Sequence, residues 1–285
     1  MRMRTTGKIK EIREYLKNAD TGGVALVPTM GALHSGHMKL VQEAKKHAET
    51  IVVSIFVNPL QFGPDEDLDN YPRDLESDLE ICREAGVDYV FHPETEEMYP
   101  RELELDISLN SMADVLDGVK RPGHFEGVVT VVNKLFNIIE PDYATFGEKD
   151  RQQLMIIQRM VEDFNHDIEI LPVETERHES GLAKSSRNMN LSGQELSEAP
   201  HVYKSLKLGE ELIQSGERDP ALVLGKIKDH IGRHTGGRID DVQIFSHPDL
   251  NPVTRIESDV IIFIAVQYEK ARLIDNLLVK VEGQS

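Results

Sequence analysis

The chain has 285 residues, with 32 basic against 50 acidic side chains and a formal net charge of −18; it can bury a large core, as one big domain or two ordinary ones. That acidic excess argues against a nucleic-acid partner gripped through its phosphates, and a single cysteine, Cys82, excludes an intrachain disulfide and fits a reducing compartment. No apolar run reaches the ~20 residues needed to cross a bilayer, and the basic N-terminus (Arg2, Arg4) runs into charged sequence without a signal-peptide core, so a soluble cytoplasmic protein without a membrane partner is expected.

Gly7–Asn18 places Ile9, Ile12 and Leu16 along one side and predicts an amphipathic helix. Val24–Val27 is an apolar run that stops at Pro28; a glycine-containing turn follows from Thr29 to Gly36. Met38, Leu40, Val41 and Ala44 then recur at helical spacing. This predicts strand, turn and helix, with His34 and His37 where the turn becomes helix. Such a helix start exposes unpaired N–H groups and the positive end of the dipole, a natural seat for phosphate. Gly31 and Gly36 allow close approach of an anion, and two histidines three apart can offer hydrogen bonds or positive charge to a polyphosphate. The bland alternatives are a solvated helix start or zinc, for which only two ligands are on offer.

Ile51–Val57 is apolar on both faces, as expected of a strand inside a parallel sheet. The Asn58–Gly63 loop leaves its carboxyl end, where ligands collect in open α/β sheets. Asn58 and Gln61 offer neutral amides for hydroxyls and a carboxylate, or simply ordinary turn chemistry. Asp74–Ala85 reads as a helix, with Cys82 a half-buried residue on it, Val87–Phe91 as a strand and Glu94–Pro100 as a loop. Arg121–Gly127 leads into Val128–Ile139, a largely buried helix. Tyr143–Phe146 makes a short strand, Gly147–Gln153 opens a helix to about Phe164, and Ile168–Val173 is the last strand of the block. Gly147-Glu148-Lys149-Asp150 sets a point cation for phosphate beside a carboxylate able to take Mg²⁺. Of Gln152 and Gln153 only one can face a pocket. The alternation of strand and helix predicts an α/β domain.

Glu174–Asn190 is a polar connector and expected hinge. Its Lys184-Ser185-Ser186-Arg187-Asn188 stretch is either a mobile phosphate clamp or a Ser-rich linker. Helical patterns at Leu196–Ser215 and Pro220–Ile231 precede strand-like runs at Asp241–Phe245, Val260–Val266 and Ala271–Ile274, which predicts a separate, smaller α+β domain. The expected division is residues 1–176 and 177–285.

Taken in order, PTMG-x-LH-x-GH (28–37), FVNPLQF (56–62), NYPR (70–73), RPGHF-x-G (121–127), FGEKD-x-QQ (146–153) and GLA-x-SSRN (181–188) resemble the pantothenate synthetase (pantoate–beta-alanine ligase) family from about residue 20 to 195. The likeness is weaker beyond, where it includes Arg272–Asn276. The histidine turn looks like the HIGH-type signature of the nucleotidyltransferase superfamily, and the SSRN stretch like the counterpart of the KMSKS loop.

The resemblance implies a Rossmann-like ATP- and pantoate-binding domain followed by a smaller lid domain. It also implies an AMP-forming carbon–nitrogen ligase that joins pantoate to beta-alanine through a pantoyl-adenylate, with ATP as a substrate, Mg²⁺ as the metal and a homodimer as the assembly. Carried over, Met30, Gly31, Ala32, Leu33, His34, Ser35, Gly36 and His37 would bind ATP, with His34 and His37 on its phosphates and His37 as proton donor. Gly147, Glu148, Lys149 and Asp150, with Lys184, Ser185, Ser186 and Arg187, would complete the nucleotide site, and Lys149 and Arg187 would offset phosphate charge. Glu176 would meet adenine through its backbone. Gln61 and Gln153 would hold pantoate, Gln61 also lying near beta-alanine, with Asn58 and Thr29 as further substrate contacts. Asp150 and Asp78 would approach Mg²⁺. Two residues depart from the family pattern: Glu176 replaces a common apolar residue and Lys184 a usual leucine.

The rivals are a cytidylyl- or adenylyltransferase, an aminoacyl-tRNA synthetase and a nucleotide sensor without turnover. A phosphorylated acceptor would call for Arg or Lys where Gln61 and Gln153 stand. A synthetase would need an anticodon-binding region, and a sensor would predict losses among His37, Lys149 and Arg187, all of which are present.

Overall fold

A computed structural model describes residues 3–17, 22–64, 68 and 71–281; Arg2, Asn18 and Asn70, named above, lie outside them. The chain forms two compact units, Met1–Glu174 and Thr175–Ser285.

The first unit is built on a parallel sheet of β1 (Arg4–Thr6), β2 (Val24–Thr29), β3 (Thr50–Ile55), β4 (Tyr89–Phe91), β5 (Tyr143–Gly147) and β6 (Glu169–Val173). Among the described residues these six run in the order β1-β4-β3-β2-β5-β6. The helices are α1 (Ile9–Lys17), α2 (Ser35–His47), α3 (Leu75–Glu84), the single turns α4 (Thr95–Met98) and α5 (Asp117–Lys120), α6 (His124–Ile139) and α7 (Arg151–Phe164). Strand side chains alternate between two apolar layers, as the pleat dictates. Leu26, Val52 and Ala144 pack with Phe136 of α6 and Ile157 of α7, whereas Ala25, Val27, Ile51 and Val53 pack with Val41 and Ala44 of α2 and Cys82 of α3. Both faces of the sheet are covered, which explains why β2 and β3 lack a polar side.

Several expectations need adjusting here. β1 escaped the sequence reading because two of its three residues are exposed and none is apolar. β3 ends at Ile55 rather than Val57, since the chain turns into a 3₁₀ helix at Pro59–Gln61 capped by Asn58. The Glu94–Pro100 loop holds the α4 turn. The buried helix begins at His124, four residues early, so the RPGHF-x-G motif lies partly on it. Cys82 is fully rather than half buried.

The second unit packs α9 (Pro200–Gln214) and α10 (Pro220–His234), preceded by α8 (Gly193–Glu198), on an antiparallel sheet of β7 (Arg238–Ser246), β8 (Val260–Gln267) and β9 (Arg272–Val279). Leu206, Ile213, Val223, Ile227 and Ile231 meet Ile244, Ile262, Ile264 and Val266 in its core. The single helix expected over Leu196–Ser215 is two, because Pro200 cannot donate into the preceding turn and starts α9 instead. β9 runs on to Val279 beyond the expected Ile274. The buried pair Asp275 and Asn276 broke the apolar pattern there. Asp275 tolerates burial because Arg177 pairs with it through two bonds of 2.6 and 2.9 Å. That contact, with an antiparallel bridge between Arg177 and Ala183, ties residues 177–183 of the connector to this unit.

Candidate active site

In the first unit the strand order reverses at β2, with β3 and β4 on one side and β5 and β6 on the other. β2 pairs directly with β5, Ala25 against Tyr143 and Leu26 against Ala144. Their carboxyl ends therefore lie side by side, the position where open α/β sheets bind ligands. One end leads into the histidine turn and the other into Gly147–Asp150.

The histidine turn is closed upon itself, against the expectation of unpaired amides. Gly31 donates to Thr29 Oγ1 at 3.2 Å, Ala32 to Asp78 Oδ2 at 3.0 Å and Leu33 to Asp78 Oδ1 at 2.7 Å. His34 donates to His37 Nδ1 at 3.2 Å, Gly36 to His34 Nδ1 at 3.1 Å, and His37 to the His34 carbonyl at 2.9 Å. The last set is a capping box made of two imidazoles, whose centroids are 4.2 Å apart. A ring nitrogen that accepts carries no proton, so both rings are neutral here with the hydrogen on Nε2. Burial, reinforced by His34, lowers His37 to about 4 against the opposing pull of Asp150. Of the two possibilities raised above, the pair offers N–H donors rather than positive charge.

Asp78 and Thr29 thus build the turn. Asp78 is 3% exposed, and its two oxygens hold the amides of Ala32 and Leu33, where the chain has just run through left-handed backbone at Gly31 (φ 84°) and Ala32 (φ 51°). Both carboxylate oxygens of Asp78 are engaged in holding the turn. The Thr29 hydroxyl donates to the Ser54 carbonyl at 2.7 Å while accepting from Gly31, and so helps to hold the same turn.

A second buried group adjoins the turn through Met30. Gln61 Nε2 donates to Met30 Sδ at 3.2 Å, and Gln61 Oε1 accepts from Asn58 Nδ2 at 3.2 Å. Asn58, 1% exposed, also donates to the Gly127 carbonyl at 3.0 Å and accepts from the Tyr99 hydroxyl at 2.9 Å. Both amide hydrogens of Asn58 are committed, one of them to orienting Gln61. Burial pushes the Tyr99 phenol well above its ordinary value and keeps it a donor. His124 Nδ1 donates to the Gln61 carbonyl at 2.8 Å, leaving Nε2 to accept from Arg121 at 2.9 Å. A Cβ at Gly127 would lie 2.4 Å from the Leu60 carbonyl oxygen, so glycine is what lets α6 meet the 3₁₀ turn of Gln61. The motif RPGHF-x-G therefore positions Gln61. Sequence reading quoted it without giving Arg121, His124 or Gly127 a task.

At the β5 end, Gly147, Glu148, Lys149 and Asp150 form a 3₁₀ turn into α7. A side chain at Gly147 would meet nothing within 4 Å, so the turn borders open space. The Lys149 side chain is 19% exposed with Nζ 3.9 Å from Asp150, whose side chain is 55% exposed. Glu148 pairs with buried Arg151 at 3.0 Å. Gln152 is held by the 112–117 segment, accepting from the Asp117 amide at 3.1 Å and donating to the Met112 and Val115 carbonyls at 2.9 and 2.8 Å. Gln153, half-buried next to it, keeps its amide available among the described residues.

Glu176, Lys184, Ser185, Ser186 and Arg187 belong to the second unit. The two departures from the family pattern are partners: Lys184 Nζ lies 2.5 Å from Glu176 Oε1, and the Lys184 amide donates to the Glu176 carbonyl at 2.8 Å. Their charges cancel locally. Ser185 caps a 3₁₀ turn over Ser186–Asn190 that presents Arg187.

A model of the pantoate-beta-alanine ligase family matches residues 4–278 of the chain. The pantothenate synthetase of Thermus thermophilus is 41% identical, and its crystal structure superposes with a TM-score of 0.89 over 96% of this chain and 99% of that one. A pantoate-beta-alanine ligase from Francisella tularensis, crystallised with beta-gamma ATP and beta-alanine, is 35% identical, with a TM-score of 0.76 over 97% of each chain.

Proposed function

The chain belongs to the pantoate–beta-alanine ligase family, and from that membership we infer that it condenses (R)-pantoate with beta-alanine, converting ATP to AMP and pyrophosphate through a pantoyl-adenylate. The observation that carries this reading is the match over residues 4–278, with both motif turns at the reversal point of the parallel sheet. No helix among the described residues is long and apolar enough to cross a membrane.

In the first half-reaction the pantoate carboxylate attacks the α-phosphorus, a P–O bond to the carboxylate forms, and the bond to the pyrophosphate leaving group breaks. The protein has no covalent task, so positioning and fixed dipoles supply the rate. His34 and His37 are suited to donate from Nε2 to phosphate oxygens, and Lys149 to neutralise charge that builds on the leaving group. For His37 to act as proton donor it must first take a proton; the bound triphosphate is the charge that would raise its affinity for one. Gln61 is placed to hold pantoate, since its Nε2 has only a thioether, a weak acceptor, to give up. Gln153 is its counterpart on α7. In the second half-reaction the neutral amine of beta-alanine attacks the acyl carbon and AMP leaves. Water must be kept out, because it would hydrolyse the acyl-adenylate.

Asp150 is the carboxylate suited to Mg²⁺, its side chain being largely exposed beside Lys149; the ion would neutralise phosphate charge while keeping several waters. Glu176, Lys184, Ser185, Ser186 and Arg187 extend the nucleotide site in this reading, Arg187 on phosphate charge. A cytoplasmic homodimer completes it, which light scattering of the purified protein tests.

Release of AMP and pyrophosphate from ATP, Mg²⁺ and D-pantoate, with and without beta-alanine, is the decisive assay. Pantothenate formed in step with AMP, and dependent on both organic substrates, is expected. ATP binding without turnover under every pantoate condition would sink the assignment.

A further inference from the structure

We propose that His201, His230 and His234 form a transition-metal site in the second unit, taking a borderline divalent cation such as Zn²⁺, Co²⁺ or Ni²⁺ on three imidazole nitrogens, with water in the remaining positions. It lies outside every residue assigned to the ligase reaction and does not depend on that assignment.

The topology brings the three together. His201 stands at the start of α9 and His230 and His234 in the last two turns of α10, spaced i and i+4 so that both face one way. One ring nitrogen of each lies within 4.8 Å of the others. His201 Nδ1 and His230 Nε2 are 3.0 Å apart; two imidazole nitrogens bound tetrahedrally at about 2.0–2.1 Å stand about 3.3 Å apart, so the pair needs to open by only a few tenths of an ångström. His234 donates from Nδ1 to the His230 carbonyl at 2.8 Å, which fixes its tautomer and leaves Nε2 with a lone pair. Ligating histidines characteristically anchor their other nitrogen this way. The His234 ring stacks on both others at centroid distances of 4.6 and 4.3 Å, while His201 and His230 are tilted at 5.2 Å; the three converge by rotation about χ2, a soft torsion. His201 and His230 are half-buried while His234 is exposed, so the site has an entry path.

A bound ion would tie the start of α9 to the end of α10. The test is titration of the full-length, tag-free, chelator-treated protein with Co²⁺, followed by visible d–d absorption, and displacement by Zn²⁺. One ion per chain is expected, with a thermal midpoint that rises with Zn²⁺ concentration. His234→Gln, at an exposed position, should weaken binding by at least the ~10–100-fold seen when an outer partner of a metal ligand is lost. The His201→Gln/His230→Gln double variant should abolish it, with its fold checked by circular dichroism, and AMP formation should persist in both. Absence of a Co²⁺ spectrum in the wild type, or binding undiminished in the double variant, would overturn the site.

Discussion

Replacing Asp78 separates a turn-building role from metal binding. Its two oxygens accept from the Ala32 and Leu33 amides at 3.0 and 2.7 Å, and the side chain is 3% exposed, so water cannot substitute. Hydrogen bonds to a charged group contribute about 1.5–3 kcal/mol each. Asp78→Ala should therefore cost about 3–5 kcal/mol, and Asp78→Asn, which keeps one acceptor and turns an NH₂ on the other amide, about 1.5–3 kcal/mol. At roughly 2–4 °C per kcal/mol for domains of this size, the Asn variant should melt about 3–12 °C lower. Its histidine turn loosens, so the KM for ATP should rise while the Mg²⁺ concentration giving half-maximal rate stays put. The assay is calorimetry paired with initial rates across an Mg²⁺ series. An unchanged melting temperature together with a raised Mg²⁺ requirement would refute the clamp and restore Asp78 as a metal ligand.

Glu176→Leu and Lys184→Leu should each destabilise the protein by removing the oppositely charged partner of a partly buried group. The double variant should lie closer to wild type, with a coupling of about 0.5–1 kcal/mol in urea melts. Gly127→Ala should destabilise by several kcal/mol despite alanine's ~1 kcal/mol advantage in a helix, because its Cβ would collide with Leu60 backbone; the KM for pantoate should rise with it as Gln61 shifts. Cys82, whose thiol burial and Asp78 push up to about 12, should ignore thiol reagents in the folded protein and react on unfolding, a measure of the first unit's stability. The stability linked to His37 is complete above pH 6.5, its ordinary value, and falls as the pH drops towards about 4, since the unfolded chain takes the proton first. His37→Gln should flatten that part of the acid limb relative to wild type.

The elements legible in the sequence were those where one physical signal dominated. β2 and β3 read as buried strands because helices cover both faces of the sheet, and α6 because Val128–Ile139 is apolar nearly all round. β1 and the far half of β9 were hidden because tertiary partners overrode local pattern. β1 lies at the sheet edge beside β4, and the charge of Asp275 is met by Arg177, ninety-eight positions away in the chain. The site's residue types were legible, but not their division of labour. Nothing in the spacing of Asp78 from Ala32 tells that its carboxylate fills the turn, and Gln152 and Gln153 are indistinguishable until the 112–117 segment claims one of them.

That division follows from which hydrogen-bonding groups are already committed. Along residues 31–37, the amides of Gly31, Ala32, Leu33, His34, Gly36 and His37 all have partners within the turn or on Asp78. A helix N-terminus capped this way is a weak anion site by itself, since a phosphate would have to displace bonds already made. The capping is done by Nδ1 of each histidine, and the same bonds that close the turn force the proton onto Nε2, the nitrogen left to act. The turn thus converts backbone donors into two oriented imidazole donors, and the loss of either ring should disturb both the cap and the phosphate contact proposed for it. Asn58 does the same for Gln61: its own amide is consumed, and in consequence Gln61 keeps a donor whose present partner is a sulfur atom. In the proposed reaction Asp78, Thr29, Asn58, His124 and Gly127 serve through geometry, and His34, His37, Gln61 and Lys149 through chemistry. Variants of the first set should lower stability and activity together, whereas variants of Gln61 and Lys149 should lower activity alone.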